Sequence, residues 1–378
     1  LLIFAFVRFR ISILFFFTIS TVHAQLYNRT FLDKRYMQSA KVGISLEALQ
    51  YLKNNEYFNN INPGETLFGF QGKAQLHYRL NDKFLLSGGL LLQKDYGDPK
   101  FISHAYPLLH FYIQKNVWAF HLGNIQPHVN HELIEPMLNY ENIIRQPVEY
   151  GFQATRRVCG SFYDVWLNWK QNAQKDPGRQ EQIVFGQSFY TYRAITKRIT
   201  FSNPVQAIVY HQGGQSLNLN THLRTVVNLA AGLHLGMKFR DSGTGMFMEG
   251  FALGSLDNSP ALSQPFKNGW ASMSNIGFML HRHQVVASWW YAREFYSPLG
   301  NAVFNNFNTE NPYANASTRR LIMLRYVYTK PLGNSGINLD FRLEPYYDME
   351  VKKLEFSQSL YFRYTIRHGF RIPKWLKF

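Results

Sequence analysis

The sequence predicts an all-β fold, a transmembrane antiparallel barrel of sixteen strands, and three observations predict it. Apolar and polar residues alternate with period two. Ile337, Leu339, Phe341 and Leu343 interleave with Asn338, Asp340, Arg342 and Glu344. Leu354, Phe356, Leu360, Phe362, Tyr364 and Ile366 share one phase, against Glu355, Ser357, Ser359, Arg363, Thr365 and Arg367. Successive side chains on a strand point to opposite faces, so each segment has one greasy and one charged face. A lipid-facing wall around a wet interior uses that division. Secondly, no apolar run of about eighteen residues follows residue 24, which excludes a helical membrane protein. Thirdly, short and long connections alternate along the chain.

The elements follow in order. Residues 1–24 read as a secretory signal peptide: Arg8 and Arg10, an apolar run from Ile11 to Ile19, then Val22-His23-Ala24 before a mature start at Gln25. Residues 25–378 form a single outer-membrane barrel domain. Strands are expected at 39–50, 67–80, 83–94, 103–114, 117–124, 149–158, 161–171, 181–192, 199–211, 220–239, 245–255, 270–281, 283–294, 319–330, 336–347 and 353–370. Fourteen strands result if the two weakest segments merge. Segment 199–211 contains Pro204, which removes a ladder donor, and 117–124 is short. Short turns such as Asn81-Asp82, Lys115-Asn116 and Cys159-Gly160 belong to the periplasmic end. The longer connections, 51–66, 95–102, 125–148, 172–180, 212–219, 256–269 and 295–318, belong outside. A soluble sandwich would not keep a charged face so regularly. Phe370, or Phe378 after a short tail, supplies the terminal aromatic that barrel assembly machinery reads.

Composition narrows the function. The chain carries 40 Lys+Arg against 24 Asp+Glu, a formal charge of +16. An exported chain without a basic run or an RNA-type aromatic motif does not point to nucleic acid. Anionic lipopolysaccharide and small anionic solutes are the expected partners. Aromatics make up 16%, as interfacial girdles require. A single cysteine, Cys159, excludes an internal disulfide.

The sharpest site is the third long connection. It runs from Gly123-Asn124-Ile125-Gln126-Pro127 through His128, His131, Glu132, Glu135 and Pro136 to Glu141, Arg145, Pro147, Glu149, Gly151 and Gln153. A strand ending in Gly-x-x-x-Pro, an acidic loop and a strand opening near Gly-x-Gln resembles Bacteroidota outer-membrane porins, loosely those of the phosphate-selective O/P type. The resemblance implies a passive pore with 125–148 as its constriction, formed by His128, His131, Glu132, Glu135, Glu141 and Arg145. Such porins line anion sites with Lys or Arg, and four acids here depart from that. An outer cap is the other placement for this loop.

The expected lumen face carries Lys73, His77, Arg79, Arg224, Lys238, Arg325, Arg342, Arg363 and Arg367, with Asp340, Glu344 and Glu355 opposing them. An excess of cations would favour anions. The alternative for Arg342, Glu344, Glu355 and Arg363 is a ladder tying neighbouring strands. His128 and His131 with Glu132 and Glu135 have ligand-type side chains, but Pro127 and Pro136 leave little helix between them, so no metal and no cofactor are expected. A barrel hydrolase needs a Ser–His pair oriented by a third polar group, and no fixed spacing supplies one. The sequence therefore reads as a channel for small anionic solutes and not as an enzyme. A scaffold docking a plug, lipoprotein or assembly partner, or a homo-oligomer, is the alternative.

Overall fold

The computed structural model describes residues 41–173, 179–214, 223–239, 243–260, 264–333 and 336–370. The expected signal peptide and mature start, and the tail ending at Phe378, lie outside the described residues. Strands run β1 (Val42–Phe58), β2 (Pro63–Arg79), β3 (Phe84–Asp95), β4 (His104–Lys115), β5 (Trp118–Asn124) and β6 (Tyr150–Val158). They continue as β7 (Ser161–Gln171), β8 (Gln182–Ala194), β9 (Ile199–Ser202), β10 (Val205–Gln212), β11 (Arg224–Lys238) and β12 (Thr244–Asp257). The last are β13 (Asn268–Leu280), β14 (His283–Arg293), β15 (Thr318–Pro331), β16 (Ile337–Asp348) and β17 (Lys353–Phe370).

Every neighbour is antiparallel, and β1 pairs with both β2 and β17, so the sheet closes. β9 and β10 share the same two neighbours, β8 and β11. They are two halves of one stave interrupted at Asn203-Pro204, where proline has no N–H for the ladder. The barrel therefore has sixteen staves.

Exposure follows the period-two pattern. Leu76, Leu80, Leu229, Leu233, Phe362 and Ile366 face outward, while Gln75, His77, Asn228, His234, Ser359 and Tyr361 are buried inside. A closed antiparallel barrel with an apolar outer face and a polar interior is the architecture of an outer-membrane protein. The short turns are built locally: the Asn81 side chain accepts hydrogen bonds from the backbone N–H of Lys83 and Phe84.

One expected loop is largely strand. Residues 51–58 and 63–66 extend the β1–β2 hairpin, leaving only 59–62 between them. Tyr51, Lys53 and Asn55 alternate inward there and are buried, because loop residues inside the barrel give them partners.

The barrel interior carries its own core. Leu133, Ile134, Met137 and Leu138 from loop 125–149, with Phe295, Leu299, Val303 and Phe304 from loop 294–317, pack on wall residues Trp166, Ile208, Phe251, Trp290 and Leu321. Two inward-folded loops thus replace water with a packed apolar layer where the sequence suggests an aqueous channel. They also bond to each other. Asn139 N–H donates to Leu299 O at 2.8 Å, and Asn301 N–H to Glu135 O at 2.9 Å. Gly300 permits this approach, since a Cβ would lie 2.1 Å from Pro136 O. Gly123, at φ +92, lets β5 end and the chain turn inward; a Cβ there would meet Leu109 O at 2.0 Å.

Candidate functional site

Loop 125–149 is fastened by charge. Glu135 accepts from Arg325 and, at 3.1 Å, from Arg342. Glu344 on β16 closes the group, taking Arg325 Nε at 2.5 Å and Arg342 Nη2 at 2.8 Å. Lys53 stands 3.3 Å from Glu141 and 3.8 Å from Glu344. The Arg342 guanidinium lies 4.1 Å from the centre of the Tyr140 ring. Glu132 pairs with Arg157 at 2.5 Å. Arg145 bonds Glu141 at 3.1 Å and also pairs with Glu65. The loop's acids, out of place in an anion path, are the complement of cations on the wall. A buried charge is tolerable only when it is paired and hydrogen-bonded.

His131 is the most enclosed of these groups. Its Nδ1 lies 2.7 Å from Asp164 and its Nε2 2.9 Å from Glu149, and its ring stacks on Trp166 with centroids 3.6 Å apart. Burial by itself opposes the charged imidazole, but the Glu149 and Asp164 carboxylates outweigh it and push its pKa up to about 9. With both ring nitrogens held by carboxylates, His131 fastens the loop and has no nitrogen left for a nucleophile. His128 opens a single 3-10 turn, His128–Asn130, and its side chain lies outside the described residues. Among the described residues no cluster could hold a metal ion.

The expected lumen cations are mostly engaged. Lys73 and Arg367 each lie 3.3 Å from Glu47. Arg363 meets Asp340 at 2.5 Å, and Arg79 meets Asp82 at 2.5 Å beside a turn. Arg224 donates to Tyr296 Oη at 2.5 Å and to Gln264 at 2.9 Å. Lys238, at the short-turn end of β11, makes no ion pair among the described residues.

His77 belongs to a different arrangement. Its Nε2 lies 2.8 Å from Ser45 Oγ and its Nδ1 2.7 Å from Ser87 Oγ, and all three residues are buried. Ser87 is directly opposite His77 in the β2–β3 ladder, and Ser45 reaches across from β1. In the tautomer that donates Nδ1–H to Ser87, Nε2 can accept the Ser45 hydroxyl proton, as a nucleophile–base pair requires. Further along the same faces, Glu47, two residues from Ser45, and Lys73, four from His77, help line a cavity of about 140 Å³, beneath Pro127, Tyr140 and Ile143 of the loop. Sequence reading placed His77 inside but missed Ser45 and Ser87. Their inward phase was visible; the register joining three strands at one height was not.

Comparison with known proteins decides the family. The model described as lipid A 3'-O-deacylase-type matches residues 33–372. The chain belongs to the lipid A 3'-O-deacylase-type family. That overturns the expectation that the chain is not an enzyme, because the family carries an enzyme's name. The family that matches is also not the phosphate-selective porin type that the glycine and proline spacing resembles. No curated protein matches. Among solved structures, a loop L8 deletion mutant of OmpT, an outer membrane protein of Vibrio cholerae, is 12% identical at a TM-score of 0.52, covering 87% of this chain and 100% of its own. OpdL of Pseudomonas aeruginosa is 12% identical at a TM-score of 0.51, covering 86% and 99%. At these identities the likeness is one of fold.

Proposed function

We propose that this barrel hydrolyses an acyl ester of a lipid A-class glycolipid that reaches it from the short-turn, periplasmic end, where Ser45 as nucleophile and His77 as its base both lie. The observation that carries this reading is the hydrogen-bonded line Ser45–His77–Ser87, within a chain whose family is named for ester cleavage. Ser45 Oγ attacks the ester carbonyl carbon and passes its proton to His77 Nε2. The sugar oxygen leaves with that proton, and the acyl group remains on Ser45. Water, deprotonated by His77, then attacks the acyl-serine and releases the fatty acid. Ser87 holds the imidazole in place.

Purified barrel incubated with lipid A in mixed micelles should release fatty acid, read by mass spectrometry. His77→Gln should slow release on the order of 10²–10⁴-fold, and Ser45→Ala at least as much. Equal release by both variants and the parent would remove the assignment.

A second reading, a passage for small anionic solutes narrowed by loop 125–148, draws on the wall cations Arg325, Arg342 and Lys53, which that loop's acids neutralise while it is docked. Detachment would free these cations to face the lumen. Deleting residues 128–145 should then raise single-channel conductance with a preference for anions. A barrel silent before and after the deletion ends this reading.

A further inference from the structure

The two rims of the barrel differ in charge. At the loop end, acids such as Asp95, Asp98, Glu294, Glu310 and Glu350 alternate with Lys94, Lys100, Lys267 and Lys352. At the short-turn end, Lys83, Lys115, Lys197, Arg198, Arg282 and Lys330 are all exposed. The acid on these turns among the described residues is Asp82, and Arg79 already pairs with it. None of the six cations makes an ion pair among the described residues. They come from five different turns spread round the barrel, so they form a ring.

Level decides what such a ring meets. Leu80, Val117, Ile195 and Leu280 sit on the same turns, pointing outward and exposed. Apolar side chains beside long basic ones are the arrangement of a residue belt at the boundary between lipid tails and headgroups, where Lys and Arg extend toward phosphate. A soluble polyanion has no use for the exposed leucine and isoleucine.

We infer that the short-turn rim binds anionic phospholipid headgroups, of the phosphatidylglycerol class, in the periplasmic leaflet. Exposed cations at one level add their attractions to headgroup phosphate, and the sum is salt-sensitive. This binding is independent of the Ser45–His77 chemistry.

The test is native mass spectrometry of the detergent-solubilised full chain, offered equal dioleoyl phosphatidylglycerol and dioleoyl phosphatidylcholine. The parent should retain phosphatidylglycerol over phosphatidylcholine by on the order of tenfold. Lys115→Glu/Lys197→Glu/Arg198→Glu/Arg282→Glu should lose that preference, while the loop-end control Lys100→Glu/Lys267→Glu/Lys352→Glu keeps it. If the fourfold variant does not fold, as judged by heat-modifiable migration, Lys197→Gln/Arg198→Gln should show a partial loss. Equal retention of both lipids by the parent would overturn the inference, as would a preference intact in the rim variants. So would rim-dependent binding to purified peptidoglycan with no lipid preference, which would make the ring a docking surface for a soluble polyanion.

Discussion

Loop 125–149 and loop 294–317 both fold into the barrel, touch each other and share one apolar core, yet they differ in the polar contacts added to it. The first is fastened by ion pairs between its own acids and wall cations. The second adds instead amide side chains that satisfy its backbone, around a larger aromatic share of the core. Phe304 packs 4.9 Å from Trp290. Asn306 accepts from Phe295 N–H, Asn305 from Ser297 N–H and Asn301 from Val303 N–H. Arg319 donates to Val303 O and Asn305 O, both at 2.7 Å, while bonding Asp348 at 2.8 Å. The contrast separates two ways of filling a wide barrel. Charge pairs fix one orientation and respond to pH. Apolar contacts fill volume and are indifferent to ionic conditions.

The largest effect is expected from Glu135→Ala, which leaves Arg325 and Arg342 buried with Glu344 as their remaining carboxylate. The loss should be about 3–5 kcal/mol in guanidinium unfolding from detergent. A loss below about 1 kcal/mol would mean that charge does not hold the loop. Leu299→Ala, in the other loop, should cost about 2–5 kcal/mol through the cavity it leaves, with no dependence on salt. Because Asn301 bonds the Glu135 backbone, the double variant should depart from additivity by about 0.5–3 kcal/mol. Strict additivity would show that the loops dock independently.

A smaller effect should follow pH. The pKa of His131 lies above its ordinary 6.5, at about 9. Its contribution to docking is therefore complete below 6.5 and lost as pH rises through about 9. Hydrogen exchange of loop 125–149 should accelerate over that range, and His131→Gln should abolish the step while loop 294–317 stays unchanged. The smallest effect belongs to Arg320→Ala. Its partner Glu350 is 2.7 Å away, but both are partly exposed, so the change should stay within about 1 kcal/mol.

Much of the wall was legible in the sequence because period two is a local property. The phase of Phe362 against Ser359, or of Leu229 against Asn228, needs no knowledge of neighbours. Pro204 announced the break between β9 and β10 for the same reason. Loop 125–149 could be located from its prolines and glycines. Its partners could not, since Glu135 meets Arg325 and Arg342 across 190 and 207 residues of sequence. Ser45, His77 and Ser87 were hidden similarly, each ordinary on its own strand and distinctive only once the ladders set their common height. The 51–66 segment was misread as a loop because Lys53, Asn54, Asn55 and Glu56 look solvated, whereas Lys53 and Asn55 are partners for Glu141 of the inward loop.

The seam between β1 and β17 bears on how the chain is made. Its ladder runs from Val42↔Phe370 to Glu56↔Phe356, and Glu47–Arg367 and Glu355 to the Phe58 N–H cross it. No part of that ladder can form before the last strand exists. Until then β1 presents one unpaired edge, which must be shielded from other chains. Pairings this distant in sequence make closure slow compared with the hairpins that precede it. The barrel should therefore mature from hairpins that form early to a single late event, with the seam as the point where assembly is completed or fails.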